Sequence, residues 1–259
     1  MKIATFNCNS IRVRLPAVLD WLERHRPDAL ALQETKSTDR DFPAAAFKAA
    51  GWHVVFRGEK SYNGVALVAR APLAGAGFGL GDGDGGESET RLARARLANG
   101  VWVLNTYVPQ GRDLASEHFQ FKLEWFSRLR RRLELWHRAD RDRVVWVGDL
   151  NVAPTPIDVY DSKRIWPHVC HCREVVDAFA ATSRGWTDVF RKHRPEAGVY
   201  TFWDYRQRGS LERNHGWRID HVWATEPLAA KSTACWVDVG PRRAERPSDH
   251  TFVMAEFED

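Results

Sequence analysis

The strongest constraint in this 259-residue chain is the stretch Val144-Val145-Trp146-Val147-Gly148-Asp149-Leu150-Asn151. Its opening apolar run, rich in β-branched valine, reads as a strand buried on both faces. Gly148 then frees the backbone to turn. Asp149 and Asn151, two residues apart, are expected to project the same way from an extended segment. A carboxylate and an amide at the open end of a buried strand suit a metal ion, a water or a phosphate oxygen. They equally suit an Asx turn that closes the strand. Recurrence of the pattern elsewhere in the chain favours the chemical reading.

The remaining elements read in order. Lys2 to Phe6 alternates into a strand ending in Asn7-Cys8-Asn9-Ser10. A helix is expected from about Arg14, with Leu15, Val18, Leu19 and Leu22 on one stripe. Ala29 to Leu32 is a second strand, finishing in Gln33-Glu34-Thr35-Lys36. Phe42 to Ala50 reads as a short helix, and His53 to Phe56 and Val65 to Ala69 as adjacent strands. Ala74 to Glu89 holds seven glycines and four acidic residues, which predicts a mobile surface loop. Arg91 to Leu97 and Val101 to Tyr107 flank Asn99-Gly100, a hairpin signal. Phe119, Leu123, Phe126, Leu129, Leu133 and Trp136 recur at helical spacing. The arginines between them, including Arg128 and Arg132, read as a solvated face. Pro154 to Cys172 is irregular, Glu174 to Ser183 helical, Trp186 to Phe190 short and extended, and Val199 to Asn214 a polar, aromatic loop. Strands follow at Trp217 to Trp223, Ala234 to Val239 and Thr251 to Phe257.

No linker divides this series, so residues 1–259 are expected to form a single domain. Its fold class is α/β: a four-layered sandwich of two packed mixed sheets flanked by helices. Strand–helix–strand passages in both halves leave room for a loose internal duplication.

Composition narrows the partners. With 44% hydrophobic and 28% charged residues the chain is an ordinary soluble globular protein, expected to be cytoplasmic and monomeric. No stretch reaches the ~18 apolar residues of a membrane span. The net charge of +4 favours a polyanionic partner only weakly. Four cysteines do not make a disulfide framework, and Cys170-His171-Cys172 lacks the second pair that a zinc site needs.

Chemistry concentrates at the strand ends: Asn7, Asn9, Glu34, Tyr107, Asp149, Asn151, Asp220, Asp249 and His250. Each alone could be a turn former or a cap. Together, on one rim, they would form a cleft of carboxylates and amides with one histidine and one tyrosine. Such hard oxygen donors suit Mg²⁺, with Mn²⁺ as a plausible substitute. A divalent ion, a histidine and a carboxylate that orients water are the parts of a phosphodiester hydrolase.

These residues sit in motifs that resemble, in order, those of the exonuclease III family of bacterial apurinic/apyrimidinic (AP) endonucleases. They are Phe6-Asn7, Leu32-Gln33-Glu34-Thr35-Lys36, Tyr107-Val108-Pro109, Gly148-Asp149-Leu150-Asn151, Trp217-Arg218-Ile219-Asp220 and Ser248-Asp249-His250. The resemblance spans Lys2 to Phe257. It implies a metal site drawn from Asn7, Glu34, Asp149, Asn151, Asp249 and His250, with Asn9 in or just outside the coordination shell. It also implies that Asp149 activates water, Asn151 holds the phosphate, and His250, held by Asp220, stabilises charge on it. Tyr107 would bind the phosphate or assist the leaving oxygen. The implied substrate is double-stranded DNA with abasic or 3′-blocked sites, cut 5′ to the lesion to leave a 3′-hydroxyl. The 3′→5′ exonuclease and 3′-phosphodiesterase activities belong to the same expectation. Trp203 and Trp217 match a pocket for the extruded sugar, with Tyr205 nearby. Arg91, Lys122, Arg206, Arg208 and Arg213 are expected phosphate contacts. The sequence departs from the family at His168 to Glu174, where Cys170-His171-Cys172 replaces an acidic helix start. Two alternatives stay open: a superfamily phosphoesterase acting on phospholipid or inositol phosphate, and a DNA-binding protein without catalysis.

Overall fold

The computed structural model describes residues 1–83 and 87–258. The strands are β1 (Lys2–Asn7), β2 (Ala29–Gln33), β3 (His53–Arg57), β4 (Val65–Ala69), β5 (Ala74–Phe78), β6 (Leu92–Arg96), β7 (Trp102–Tyr107), β8 (Val144–Asp149), β9 (Trp186–Asp188), β10 (Asp220–Thr225), β11 (Ser232–Asp238) and β12 (Phe252–Phe257). They make two six-stranded mixed sheets, ordered β11-β12-β1-β2-β4-β3 and β5-β6-β7-β8-β10-β9.

Alternation along the strands sorts the side chains into three apolar layers. Ile3, Ala29, Ala31, Val65 and Leu67 of one sheet meet Ala93, Val103, Val145, Val147 and Val222 of the other. On the outer face of the first sheet, Ala4, Phe6, Leu30 and Phe252 pack on Trp21 and Leu22 of the helix Ile11–His25. Beyond the second sheet, Leu104, Val144 and Trp146 pack on Trp125, Phe126 and Leu129 of the helix Glu117–Trp136 and on Phe179 of Arg173–Thr182. The result is helices, sheet, sheet, helices, and β8 is buried on both faces as its composition requires.

The internal duplication is present at the level of topology. β1, β2, β3 and β4 correspond to β7, β8, β9 and β10, and the antiparallel pair β11–β12 corresponds to β5–β6. Each half contains a parallel pair joined through a helix, β1 with β2 and β7 with β8.

Some local expectations are corrected. The first helix starts at Ile11, three residues early, because the carbonyl of Thr35 accepts the Ile11 N–H at 3.0 Å. The glycine-rich segment begins as β5 paired to β6, so it is not a loop throughout, and its residues 84–86 lie outside those described. After the three-residue β9 the chain turns into the helix Val189–His193. β10 starts at Asp220, with Trp217 in isolated bridges to Val159 and Phe202. The arginine face of the long helix is partly covered, since Arg128 makes two hydrogen bonds to Asp82 and Arg132 reaches the Gly81 carbonyl. Gly148 does not turn the chain. It lies within β8 at φ 139°, where a Cβ would stand 1.9 Å from the Thr106 carbonyl oxygen. Glycine is needed there for close approach of β7.

Candidate active site

Topology brings the polar strand ends together. β1 and β2 run parallel, as do β7 and β8, so their C-terminal ends share an edge. β12 is antiparallel to β1 and β10 antiparallel to β8, so these two enter where the others leave. The register sets Tyr107 opposite Asp149 and Asp149 opposite Asp220.

The loops beyond these ends are held by main-chain bonds. Ser10 donates to the Glu34 carbonyl at 2.8 Å, and Thr35 and Lys36 donate to Gly64 and Asn63 at 3.2 and 3.0 Å. Glu34 and Lys36 adopt φ values of 49° and 47°, strained for side chains of this kind and tolerated because the loop is pinned on both sides. Ser248 Oγ donates to the Asn7 carbonyl at 2.8 Å and accepts the His250 N–H at 3.2 Å, which fixes the turn before β12 against β1.

Across the rim the side chains form a continuous polar chain. Lys36 Nζ contacts Glu34 Oε2 at 2.8 Å. Asn7 Nδ2 bridges Glu34 Oε1 and Asp149 Oδ2, both at 2.8 Å. Asp149 Oδ2 lies 3.8 Å from His250 Nε2, and His250 Nδ1 donates to Asp220 Oδ2 at 2.8 Å. Asn7 and Asp149 each accept, through Oδ1, the N–H two residues on, that of Asn9 and Asn151, at 3.0 Å. The Asx turn and the site therefore coexist. Asn151 leaves the extended conformation at φ 49°, so it does not simply repeat the direction of Asp149.

The electrostatics follow from burial. Burial opposes the imidazolium of His250, but Asp220 and Asp149 outweigh it and raise its pKa to about 10. Burial, reinforced by Asp220 and Glu34, raises Asp149. For Glu34 burial is overcome by Lys36 and the Asn7 hydrogen bond, and its carboxyl stays below the usual range. Burial keeps the Tyr107 phenol protonated, with Glu34 and Asp149 adding to the effect.

The site opens into a cleft of 640 Å³. Glu34, Tyr107, Asp149, Asn151, Asp249 and His250 line it on one side, and Phe202, Trp217 and Ile219 form an apolar wall. His168 packs against Trp217 at 4.7 Å between ring centres, and Phe202 against His250 at 4.9 Å. Arg206 and Arg112 stand at the mouth. A second cavity, of 320 Å³, continues past Tyr107, Gln110 and Arg112 toward Arg91 and Tyr62. The Arg91 guanidinium covers the Tyr107 ring at 5.0 Å.

Two expected DNA contacts are overturned. Lys122 is fully buried, with Nζ donating to the carbonyls of Gln110, Asn151 and Val169 at 3.1, 2.7 and 2.6 Å. Trp203 is buried beside the cleft, donating from Nε1 to Asn214. Phe202, its neighbour, takes the place in the wall. Phe202 and Asp204 line the cleft on either side of the buried Trp203, and the turn that follows adds Arg206 and Gln207. Tyr205 stays half-exposed, bonded to Arg14 and Pro247. His171 spends both ring nitrogens on Ala153 and Ser162, which leaves none for zinc.

Among the described residues, one group of acidic and imidazole side chains could hold a metal ion. It comprises Glu34, Asp149 and His250, with ligand atoms within 4.8 Å of one another. Asp249 is not in that group and accepts from Asn9 Nδ2 at 3.0 Å. Two hard carboxylates, with a third at Asp220 behind them, make a donor set that fits a divalent cation of the magnesium kind.

These features define a metal-dependent phosphodiesterase rim, and comparison agrees. Residues 4–250 match the endonuclease/exonuclease/phosphatase family, to which the chain belongs. It is 30% identical to exodeoxyribonuclease III of Haemophilus influenzae, over 99% of this chain and 100% of that one, which places it in the exonuclease III branch. The structure superposes on an AP endonuclease from Archaeoglobus fulgidus at a TM-score of 0.96 and 45% identity, each chain covered in full. A 3′ phosphatase from Neisseria, bound to a product DNA hairpin, matches at 0.93 and 39%, again over both whole chains.

Proposed function

We propose that this protein is a Mg²⁺-dependent DNA-repair phosphodiesterase acting on double-stranded DNA at abasic sites and blocked 3′ ends, with Mn²⁺ able to substitute. The observation that carries the reading is the polar chain from Glu34 through Asn7 and Asp149 to His250 and Asp220, hydrogen-bonded except for the 3.8 Å ion pair between Asp149 and His250, and facing an aromatic wall. A divalent ion held by the Glu34 and Asp149 carboxylates would offset the charge of the scissile phosphate and ease departure of the alkoxide. Asp149, whose basicity burial increases, accepts the proton of the attacking water. His250 keeps its Nδ1 proton on Asp220 and donates from Nε2 to a phosphate oxygen, stabilising charge as it develops. A protonated His250 serves as that donor better than as a metal ligand. Asn151 holds the phosphate, and the neutral Tyr107 phenol donates to it or to the leaving oxygen. Asn9 and Asp249 steady the loops around the ion. Phe202, Trp217 and Ile219 receive a sugar that has lost its base, and Arg206 and Arg91 take flanking phosphates.

The similar proteins are described as an AP endonuclease, an exodeoxyribonuclease and a 3′ phosphatase, so internal and terminal substrates belong in one experiment. End-labelled duplexes carrying an internal abasic analogue, a 3′-phosphate or a plain 3′ end would be incubated with wild type and Asp149→Asn, in Mg²⁺ and in EDTA. Metal-dependent cutting at the lesion or removal of the 3′ block, lost in Asp149→Asn, is expected. Absence of cleavage on every duplex would overturn the proposal.

A further inference from the structure

The segment that presents Asn151 runs through the interior without a ladder. Asn151, Val152 and Ala153 are all buried, and Asn151 is in the left-handed region. Buried carbonyls outside regular structure need donors. Here three in succession are met by side chains. The Asn151 carbonyl accepts from Lys122 Nζ at 2.7 Å, the Val152 carbonyl from His221 Nε2 at 2.8 Å, and the Ala153 carbonyl from His171 Nδ1 at 2.7 Å.

Each donor is itself fixed. Arginine can only donate, so Arg218 Nη1, 3.1 Å from His221 Nδ1, requires that nitrogen to accept and puts the hydrogen on Nε2. The Ala153 carbonyl can only accept, so His171 Nδ1 carries the hydrogen, and Nε2, 2.8 Å from Ser162 Oγ, accepts from that hydroxyl. Lys122 has three donors, and its other two hold the Gln110 and Val169 carbonyls. Gln110 and Cys170 line the cleft, so one ammonium ties the loop after β7, the loop after β8 and the turn at Val169 into a single wall.

We infer that Lys122, His171 and His221 are positioning residues that set the Asn151 amide against the scissile phosphate by clamping the three carbonyls of residues 151–153. None of them needs to touch the substrate. The inference rests on Asn151 belonging to the catalytic set. It also gives Cys170-His171-Cys172 a role, since the central histidine is one of the clamps.

The test is a double-mutant cycle in steady-state cleavage of a labelled abasic or 3′-phosphate duplex. Lys122→Met and His171→Leu remove a donor, whereas His171→Asn keeps an amide donor near the position of Nδ1. Loss of a clamp is expected to lower kcat about 100-fold, as misplacement by an ångström does, with KM nearly unchanged. His171→Asn should recover most of that loss. In an Asn151→Ala background the same changes should cost less than about 3-fold, because the residue through which they act is gone. If Lys122→Met does not fold, the His171 pair carries the same comparison. Full additivity with Asn151→Ala, or equal losses in His171→Asn and His171→Leu, would overturn the clamp. Wild-type kcat in Asn151→Ala alone would instead remove Asn151 from the catalytic set, a separate failure.

Discussion

The ion pair behind His250 makes the sharpest prediction. In Asp220→Asn the side chain keeps its shape but loses the charge that His250 Nδ1 meets at 2.8 Å. Both groups are buried, and breaking such a pair by removing one partner costs about 3–5 kcal/mol. At 1.36 kcal/mol per unit this amounts to about 2–4 units of pKa. The His250 value, near 10 in the intact site, should fall to the neighbourhood of neutrality. The proposed role needs the imidazolium, so the variant should lose activity with a pH signature. With a pKa near 7, almost all of His250 would be protonated at pH 6 and only about one part in a hundred at pH 9. Single-turnover cleavage from pH 6 to 9.5 in saturating Mg²⁺ would show this directly. The wild-type profile should carry no His250 limb below about pH 9, and the Asp220→Asn deficit should deepen about 100-fold between pH 6 and pH 9. An equal deficit at both pH values would refute the idea that Asp220 acts through the His250 proton.

Other outcomes follow from the same geometry. Glu34→Gln should raise the Mg²⁺ concentration needed for half-maximal cleavage by tenfold or more, with partial recovery at high metal; an unchanged metal titration would remove Glu34 from the ion site. Arg206→Ala should weaken DNA binding and reduce the slope of log affinity against log salt by about one, since its side chain is exposed at the cleft mouth; fluorescence anisotropy at several salt concentrations measures this. His221 should make the fold acid-sensitive. Burial and then Arg218 hold its pKa at about 4, below the ordinary 6.5, so its contribution is complete above pH 6.5 and disappears as pH falls to about 4. The stake is up to about 3 kcal/mol. The gap between urea midpoints at pH 7 and 4.5 should therefore narrow in His221→Gln, with His137 and His168, which burial also holds low, accounting for part of the remainder, and an undiminished difference would exclude His221 as a cause.

The sandwich could be read from the chain because its signals are local. Val144 to Val147 and Val65 to Ala69 announce buried strands, and the stripe from Phe119 to Trp136 announces a packed helix. The polar strand ends could be collected because each borders an apolar run, after it at β1, β2, β7 and β8 and before it at β10 and β12. What escaped the sequence depends on direction rather than identity. Lys122 is a basic residue on a helix and reads as surface until the carbonyls of Gln110, Asn151 and Val169 are seen around it. Trp203 outweighs Phe202 as a stacking residue on composition, yet the fold buries Trp203 and turns its neighbours Phe202 and Asp204 to the cleft. Gly148 looks like a hinge and is a spacer, because the carbonyl that excludes a Cβ lies on a strand some forty residues earlier. Three-dimensional neighbours of that kind leave no periodic trace.

The strand order also has a consequence in time. Lys2 pairs with Glu256, so one edge of β1 waits for a partner more than 250 residues later. At about 5–20 residues per second of synthesis, that edge stays open for roughly 10–50 s after it emerges. The same late segment delivers His250 to the rim just as β12 docks. Without β12 paired to β1, the turn that carries His250 has no docked strand to hold it at the rim. Closure of the first sheet and assembly of the polar rim are therefore a single, late event.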